Sequence, residues 1–331
     1  MRIPSHMRTK THGSIILTYR CNAKCNMCAV WHYPSKPSEE IGLDVIRKLP
    51  EMFFTNVTGG EPFIREDLPD IISELRKKAK RIVISTNGYF TDRIIELCKR
   101  NLDLGVRISI EGSPESNDKI RGLRDGYWRT KETLRKLQEL GMKDIGIAIT
   151  VQDMNCKDLV GLYEMAKKLN YEFATATLHN SHYFHKYDNK VENKEAVIGE
   201  FERLIKELMR SRKMKEWFRA YFNYGLINYI KGNPRLLPCE MGRDGFFLDP
   251  WGDVLACNGM IEKMPIGNLK EQSWDEIWNS KRAREVRQEV KSCKKNCWMI
   301  GSVAPAIWHH PIKPLMWVVK QKIASAVRAS L

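Results

Sequence analysis

A parallel α/β fold followed by a smaller α+β segment is the fold class this sequence predicts, and three observations predict it. Between residues 14 and 180, short β-branched runs alternate with amphipathic helical stretches. Cysteine, glycine and carboxylate motifs fall just after those runs, at the strand ends where α/β folds place their chemistry. After Pro238 the texture changes to short strands and a charged helix set among four further cysteines. Successive βα units imply a parallel sheet covered by helices, either doubly wound or curled toward a barrel. Periodicity does not choose between these two.

The predicted strands are Ser14–Tyr19, Phe53–Thr58, Arg81–Thr86, Gly105–Ile110, Asp144–Val151 and Glu172–Leu178. Between them, Leu68–Lys80 and Thr130–Leu140 carry apolar residues at i, i+3, i+4 spacing with Lys, Arg and Glu on the other face. From Asn189 to Lys231 the pattern is helical and charged, and its aromatic residues from Trp217 to Tyr229 read as core. Gly245–Pro250 and Val254–Cys257 read as short strands joined by a Pro-Trp-Gly-Asp turn. A charged helix follows over Ser273–Val290, and Pro311–Leu331 is a basic amphipathic segment.

The chain has 331 residues, 43% of them apolar and 29% charged, with a formal net charge of +15. That composition excludes a disordered, collagen-like or low-complexity chain. No apolar run is long enough to span a bilayer, and the polar, basic start does not read as a signal peptide, so the expected location is cytoplasmic. Clustered cysteines in such a chain read as metal ligands before disulfides.

Cys21, Cys25 and Cys28 form C-x3-C-x2-C directly after the first strand. Three thiolates so close suit an iron–sulfur cluster with one open iron, and a zinc knuckle completed by His32 is the competing reading. Thr58-Gly59-Gly60-Glu61-Pro62, after the second strand, favours the cluster. Its glycines permit close backbone approach, and Glu61 brings a carboxylate beside the cysteine loop.

With these motifs in hand, the sequence resembles the radical S-adenosylmethionine (SAM) superfamily. The resemblance implies a partial (β/α)6 TIM-like barrel. It also implies that Cys21, Cys25 and Cys28 hold a [4Fe–4S] cluster whose fourth iron chelates SAM. By the same resemblance, Gly59, Gly60, Glu61 and Pro62 contact the methionyl amino group. The resemblance further implies SAM contacts from Ser85 and Asn87 at the end of the third strand and from Ser109 and Glu111 at the end of the fourth, and Arg121 would meet the SAM carboxylate. Related enzymes read Ser-x-Asp-Gly where this chain has Glu111.

Cys239, Gly252 and Cys257 form C-x12-G-x4-C, and Cys293-x3-Cys297 follows the charged helix. Four thiolates satisfy a closed zinc site or a whole cluster. The Gly252 hairpin resembles the opening of SPASM and twitch extensions, which implies a second, auxiliary [4Fe–4S] cluster on Cys239, Cys257, Cys293 and Cys297. Cys98 and Cys156 read as packed thiols.

His179, His182 and His185 follow the sixth strand. His179 and Tyr183 are the candidate catalytic residues, with Asn180 beside them, and x2 spacing disfavours a metal site. The expected organisation is an extension over 1–13, a barrel over 14–188, a helical connection over 189–231, an auxiliary cluster domain over 232–300 and a basic amphipathic segment over 301–331.

The resemblance implies an oxidoreductase, epimerase or mutase that cleaves SAM to a 5′-deoxyadenosyl radical and abstracts a substrate hydrogen. An external low-potential donor such as flavodoxin or ferredoxin would supply electrons. The short stretch ahead of the first strand favours a small-molecule, sugar or lipid-linked substrate, and the net charge favours an anionic one. A ribosomal peptide substrate is the alternative, and a non-catalytic iron–sulfur carrier or sensor is the rival of another class. The terminal segment either docks on the core or contacts an anionic membrane as a peripheral helix. No nucleic-acid-binding module is recognisable.

Overall fold

The structure is a computed structural model that describes residues 11–329, with side chains through residue 324. Most of the expected N-terminal extension, and the Arg328 side chain, lie outside the described residues.

Six parallel strands lie side by side in chain order: β1 (His12–Ile16), β2 (Met52–Thr58), β3 (Ala79–Thr86), β4 (Gly105–Ser109), β5 (Ile145–Val151) and β6 (Glu172–Thr177). A doubly wound sheet reverses its strand order at a switch point, whereas sequential parallel order is the winding of a barrel. The fold is therefore the partial barrel.

Helices α1 (Leu43–Arg47), α2 (Leu68–Arg76), α3 (Thr91–Lys99), α4 (Pro114–Arg121), α5 (Gly126–Glu139) and α6 (Leu159–Lys168) supply the crossovers. In α2 the buried residues are Leu68, Ile71, Ile72 and Leu75, the stripe that the i, i+3, i+4 spacing predicts.

β1 starts and ends earlier than its apolar run suggests. Leu17 N–H still donates to Thr58 O at 2.9 Å. Beyond it, Tyr19 N–H turns to Ser35 Oγ and Arg20 N–H to Thr18 Oγ1, each at 2.9 Å. Side-chain acceptors thus take the chain out of the ladder and into the cysteine loop.

The sheet does not stop at β1. β7 (Gly245–Leu248) pairs with it in parallel, and β8 (Asp253–Leu255) and β9 (Pro265–Asn268) add antiparallel strands. The auxiliary hairpin therefore extends the barrel sheet, in the order β6-β5-β4-β3-β2-β1-β7-β8-β9. Gly252, at the hairpin turn, has φ +93°, a conformation glycine adopts without strain. β9 is absent from the sequence reading because Pro265 and Gly267 break the β pattern.

The helical connection is a pair, α7 (Lys194–Arg210) and α8 (Met214–Ile230), with Asn193 capping the first through Ala196 N–H at 3.0 Å. The charged stretch after β9 is also two helices, α9 (Trp274–Trp278) and α10 (Lys281–Lys291), because Ser280 caps a new start at Ala283 N–H. α11 (Ile300–His309) packs on β1 and β7, and α12 (Ile312–Ala329) packs on α8. One contiguous apolar core runs from the barrel through the auxiliary hairpin.

Candidate active site and auxiliary metal centre

The cysteine loop is held from three sides. Gly60 N–H donates to Thr18 O at 2.7 Å and Glu61 N–H to Arg20 O at 2.9 Å. A Cβ on Gly59 would lie 2.5 Å from Thr18 O, and one on Gly60 would collide with Arg20 O. The two glycines thus serve backbone-to-backbone approach between two loops of the protein itself. On the second side, Lys24 N–H donates to Arg121 O and Asn26 N–H to Ile120 O, both at 2.9 Å. The third side is the loop after β6, where Phe184 O accepts from Ala29 N–H at 2.8 Å.

Below the loop sits a carboxylate that sequence reasoning missed. Glu40 accepts from Thr18 Oγ1 at 2.5 Å, Ser35 Oγ at 2.7 Å, and Arg20 Nε and Nη2 at 3.0 and 2.8 Å. Arg65 Nη1 lies 3.7 Å from it and donates to Leu17 O. Together these contacts fix the corner where β1 becomes the cysteine loop.

Glu61 is fully buried and committed to the protein. It accepts from Thr86 Oγ1 at 2.8 Å, Asn87 N–H at 2.7 Å and Phe63 N–H at 3.1 Å. Burial raises its pKa although these donors oppose the shift. Its carboxylate ties the loops after β2 and β3 together. Ser85 Oγ likewise donates to Asn56 Oδ1 at 2.9 Å, while Asn87 Nδ2 reaches Asn22 Oδ1 at 2.7 Å.

Glu111 and Arg121 form a buried pair, Nη1 to Oε1 2.9 Å, and Glu111 Oε2 accepts from Thr150 N–H at 2.8 Å. Asn117 Oδ1 holds the Glu111 N–H at 2.9 Å. Ser109 is the half-buried last residue of β4.

Burial pushes the Cys21 and Cys28 thiols up to about 12 and raises Cys25 as well, with Arg121 opposing the shift at all three. Such thiols are poor free nucleophiles, and metal coordination is what deprotonates them. Arg121 Nε and Asn22 Nδ2 are buried donors without partners beside this loop. Three convergent thiols with orphaned donors next to them fit a cluster that binds an anionic group.

Cys239, Cys257, Cys293 and Cys297 also lie within electrostatic reach of one another, and burial first, then the other three thiols, push Cys257 up to about 12. A Cβ on Gly259 would sit 3.7 and 3.9 Å from the Cys257 and Cys297 sulfurs, so the backbone there forms one wall of the thiol cradle. Next to Cys297, the buried Trp298 anchors this segment on α8, its Nε1–H donating to Phe222 O at 2.8 Å. Four free thiols with no histidine among them fit a closed cluster site. Cys98 and Cys156 are both buried away from these groups.

Tyr183 reaches the first site, its hydroxyl donating to Gly59 O at 3.3 Å and lying 3.3 Å from Thr58 Oγ1. His179 instead packs edge-on against Phe184, ring centroids 4.7 Å apart, and burial lowers its pKa to about 4. Asn180 is taken up by Asn189, accepting its N–H at 2.9 Å. His182 N–H donates to Met260 O at 2.9 Å, which joins this loop to the chain after Cys257. Beside it, His185 stacks on Tyr33 at 4.9 Å with its buried Nε2 unpartnered.

A family model for the radical SAM superfamily matches residues 15–166, and one for the SPASM iron–sulfur cluster-binding domain matches residues 239–298. The chain is 26% identical to an Fe-coproporphyrin III synthase of Methanosarcina barkeri, over 84% of this chain and 77% of that protein. It is 23% identical to the subtilosin biosynthesis protein AlbA of Bacillus subtilis, over 84% of this chain and 61% of that protein. It is 24% identical to a PqqA peptide cyclase of Xanthomonas axonopodis, over 81% of this chain and 73% of that protein.

Among solved structures, Streptococcus suis SuiB bound to SAM superposes with a TM-score of 0.67 at 14% identity, over 88% of this chain and 73% of that one. Native anSMEcpe with bound SAM superposes with a TM-score of 0.63 at 15% identity, over 86% of this chain and 84% of that one. These likenesses establish the fold.

Proposed function

Because this chain is a radical SAM protein with a C-terminal SPASM iron–sulfur domain, and its cofactors are SAM and two [4Fe–4S] clusters, we propose that it performs radical chemistry on a peptide. When bound, the clusters and SAM supply a low-potential electron and a 5′-deoxyadenosyl group able to abstract a hydrogen atom. The residues of the chain do the rest. Cys21, Cys25 and Cys28 would ligate the first cluster and Cys239, Cys257, Cys293 and Cys297 the second. Arg121 and Asn22, with their orphaned N–H groups, would meet the SAM carboxylate, and the Gly59–Pro62 loop would face its amino group.

The observation that carries the peptide reading is the company the sequence keeps. AlbA and the PqqA peptide cyclase are joined by SkfB, a sporulation killing factor maturation protein, and MftC, a mycofactocin maturase. These names favour a peptide over the small-molecule, sugar or lipid-linked substrate that the sequence suggested. A tetrapyrrole is the second reading, supported by the Fe-coproporphyrin III synthase and an AdoMet-dependent heme synthase. In either case Tyr183, beside Gly59 and the cysteine loop, is better placed than His179 to touch the reacting atoms. A neutral His179 would line the site and hold no charge there.

The test is anaerobic reconstitution with iron and sulfide, reduction, and incubation with SAM plus either a candidate precursor peptide or a tetrapyrrole. Peptide-stimulated 5′-deoxyadenosine, with a mass change in the peptide, is the expected result. Stimulation by tetrapyrrole alone would favour the second reading. No 5′-deoxyadenosine from fully loaded protein would leave the electron carrier or sensor.

A further inference from the structure

α12 carries apolar residues on two opposite faces, and the fold covers one of them. Pro314 and Val318 are buried, and Trp317 stacks on Tyr224 at 5.1 Å and meets Tyr221 edge-on at 5.6 Å. That face docks the helix on α8. On the other, Ile312, Leu315, Met316, Val319 and Ile323 are 48–71% exposed. At 3.6 residues per turn these five fall in a stripe roughly 100° wide. A single exposed apolar side chain is ordinary, but a whole stripe marks a binding surface.

The stripe continues beyond α12. It forms one wall of an apolar groove whose other wall is Met214, Trp217 and Phe218 at the start of α8, with Met214 itself 61% exposed.

Cations border this surface on both sides. Lys313 and Lys320 leave α12 roughly 80–100° to one side of the stripe and Lys322 about as far to the other. Lys322 Nζ lies 4.5 Å over the Trp217 ring, and Lys313 Nζ donates to Leu236 O at 2.8 Å. Those contacts place the ammonium groups without neutralising them. Exposed Arg212 and Lys213 stand in the turn before Met214. No Asp or Glu occurs in the sequence after Glu289.

An apolar stripe with cationic shoulders and no acid along its helix matches a layer of negative headgroups over hydrocarbon. A second copy of the chain fits poorly, because a two-fold contact would set the same lysines against each other. We propose that this face of α12, with the first turn of α8, docks the protein on an anionic lipid bilayer. The helix lies in the interface plane, since no helix among the described residues is long and apolar enough to cross a membrane.

Helix α11, which leads into α12, is tied to the chain around Cys239. His309 Nε2 meets Asp244, His310 Nε2 lies 3.0 Å from Glu240 Oε1, and Arg235 Nη2 donates to Ser302 O at 3.0 Å. Docking would therefore fix the orientation of the SPASM domain, and the barrel with it, relative to the membrane.

Co-sedimentation of the full-length, cluster-loaded protein with vesicles tests this. Binding is expected to vesicles of phosphatidylcholine mixed with phosphatidylglycerol, to weaken with salt, and to be slight for phosphatidylcholine alone. The double substitution Val319→Glu and Ile323→Glu should cut binding by roughly tenfold or more, and Lys320→Glu severalfold. Both changes fall on exposed side chains, so iron content and melting temperature should match the parent protein. Absence of binding to the mixed vesicles at low salt would overturn the proposal. So would binding that the double substitution leaves unchanged, or a dimer in light scattering that the same substitution dissolves.

Discussion

Arg121 and Glu111 face each other as a buried ion pair, Nη1 to Oε1 2.9 Å, directly against the loop that carries the three cysteines. The pair answers what a glutamate does where related sequences carry Ser-x-Asp-Gly. Glu111 bridges Arg121 to the Thr150 N–H, and Arg121 keeps its Nε free toward the cysteine loop. Replacing Arg121 with Leu strands a buried carboxylate, which typically costs about 3–5 kcal/mol. Urea denaturation of the apoprotein should show that loss, and SAM affinity should fall by roughly tenfold or more as a charge-assisted contact disappears. Glu111→Gln keeps one acceptor and should be milder in both measurements.

Gly60 offers a test that leaves every polar group in place. A methyl there meets the Arg20 carbonyl, so the loop after β2 must retreat from the cysteine loop. Gly60→Ala should lower iron retained at the first site while the auxiliary site stays filled. Iron and sulfide analysis of the reconstituted protein would give close to half loading. Full loading with unchanged SAM binding would show that the two loops tolerate separation.

The two thiol groups should load independently, because they share no residue: Cys21, Cys25 and Cys28 lie in the loop after β1, whereas Cys239 and Cys257 flank the β7–β8 hairpin and Cys293 and Cys297 follow α10. Two four-iron clusters predict about eight irons per chain, and Cys239→Ala with Cys257→Ala should leave about four. SAM cleavage should persist at least in part in that variant, since Cys21, Cys25 and Cys28 are untouched. Electron paramagnetic resonance of the reduced variant should retain a signal that shifts on SAM addition.

The six barrel strands, the cysteine sets and the loops that carry them were legible because each depends on local pattern, a β-branched run and then a motif at its carboxyl end, whereas the order of the strands in the sheet is not a local property and periodicity left it open. Glu40 was not, since in the sequence it is one acid among Ser and Glu and reads as surface charge. Its burial arises only when that segment folds beneath Arg20 and Arg65, contacts 20 and 25 positions away. Glu61 was legible as a site residue but not in its part, because two of its three donors, Thr86 and Asn87, come from the end of the next strand and the loop after it. The same limit governs α12. Its sequence reads as one basic amphipathic segment, and only the position of Tyr221 and Tyr224 decides which of its apolar residues are covered.

His179 gives a pH dependence with a definite sign. An imidazole whose pKa falls from 6.5 to about 4 on burial binds fewer protons in the folded chain than in the unfolded one. Stability is therefore retained above the ordinary histidine range and lost as pH falls from 6.5 toward 4, levelling off below. The loss attributable to this one group is on the order of 1–3 kcal/mol, reduced by whatever solvent reaches the ring. Carboxylates and cluster lability contribute to the same acid limb, so the comparison is made between apoproteins, parent against His179→Asn. The difference in unfolding free energy between them should change across that window and be constant above it. A pH-independent difference would mean that the ring is protonated in place, and would remove the neutral lining role given to His179.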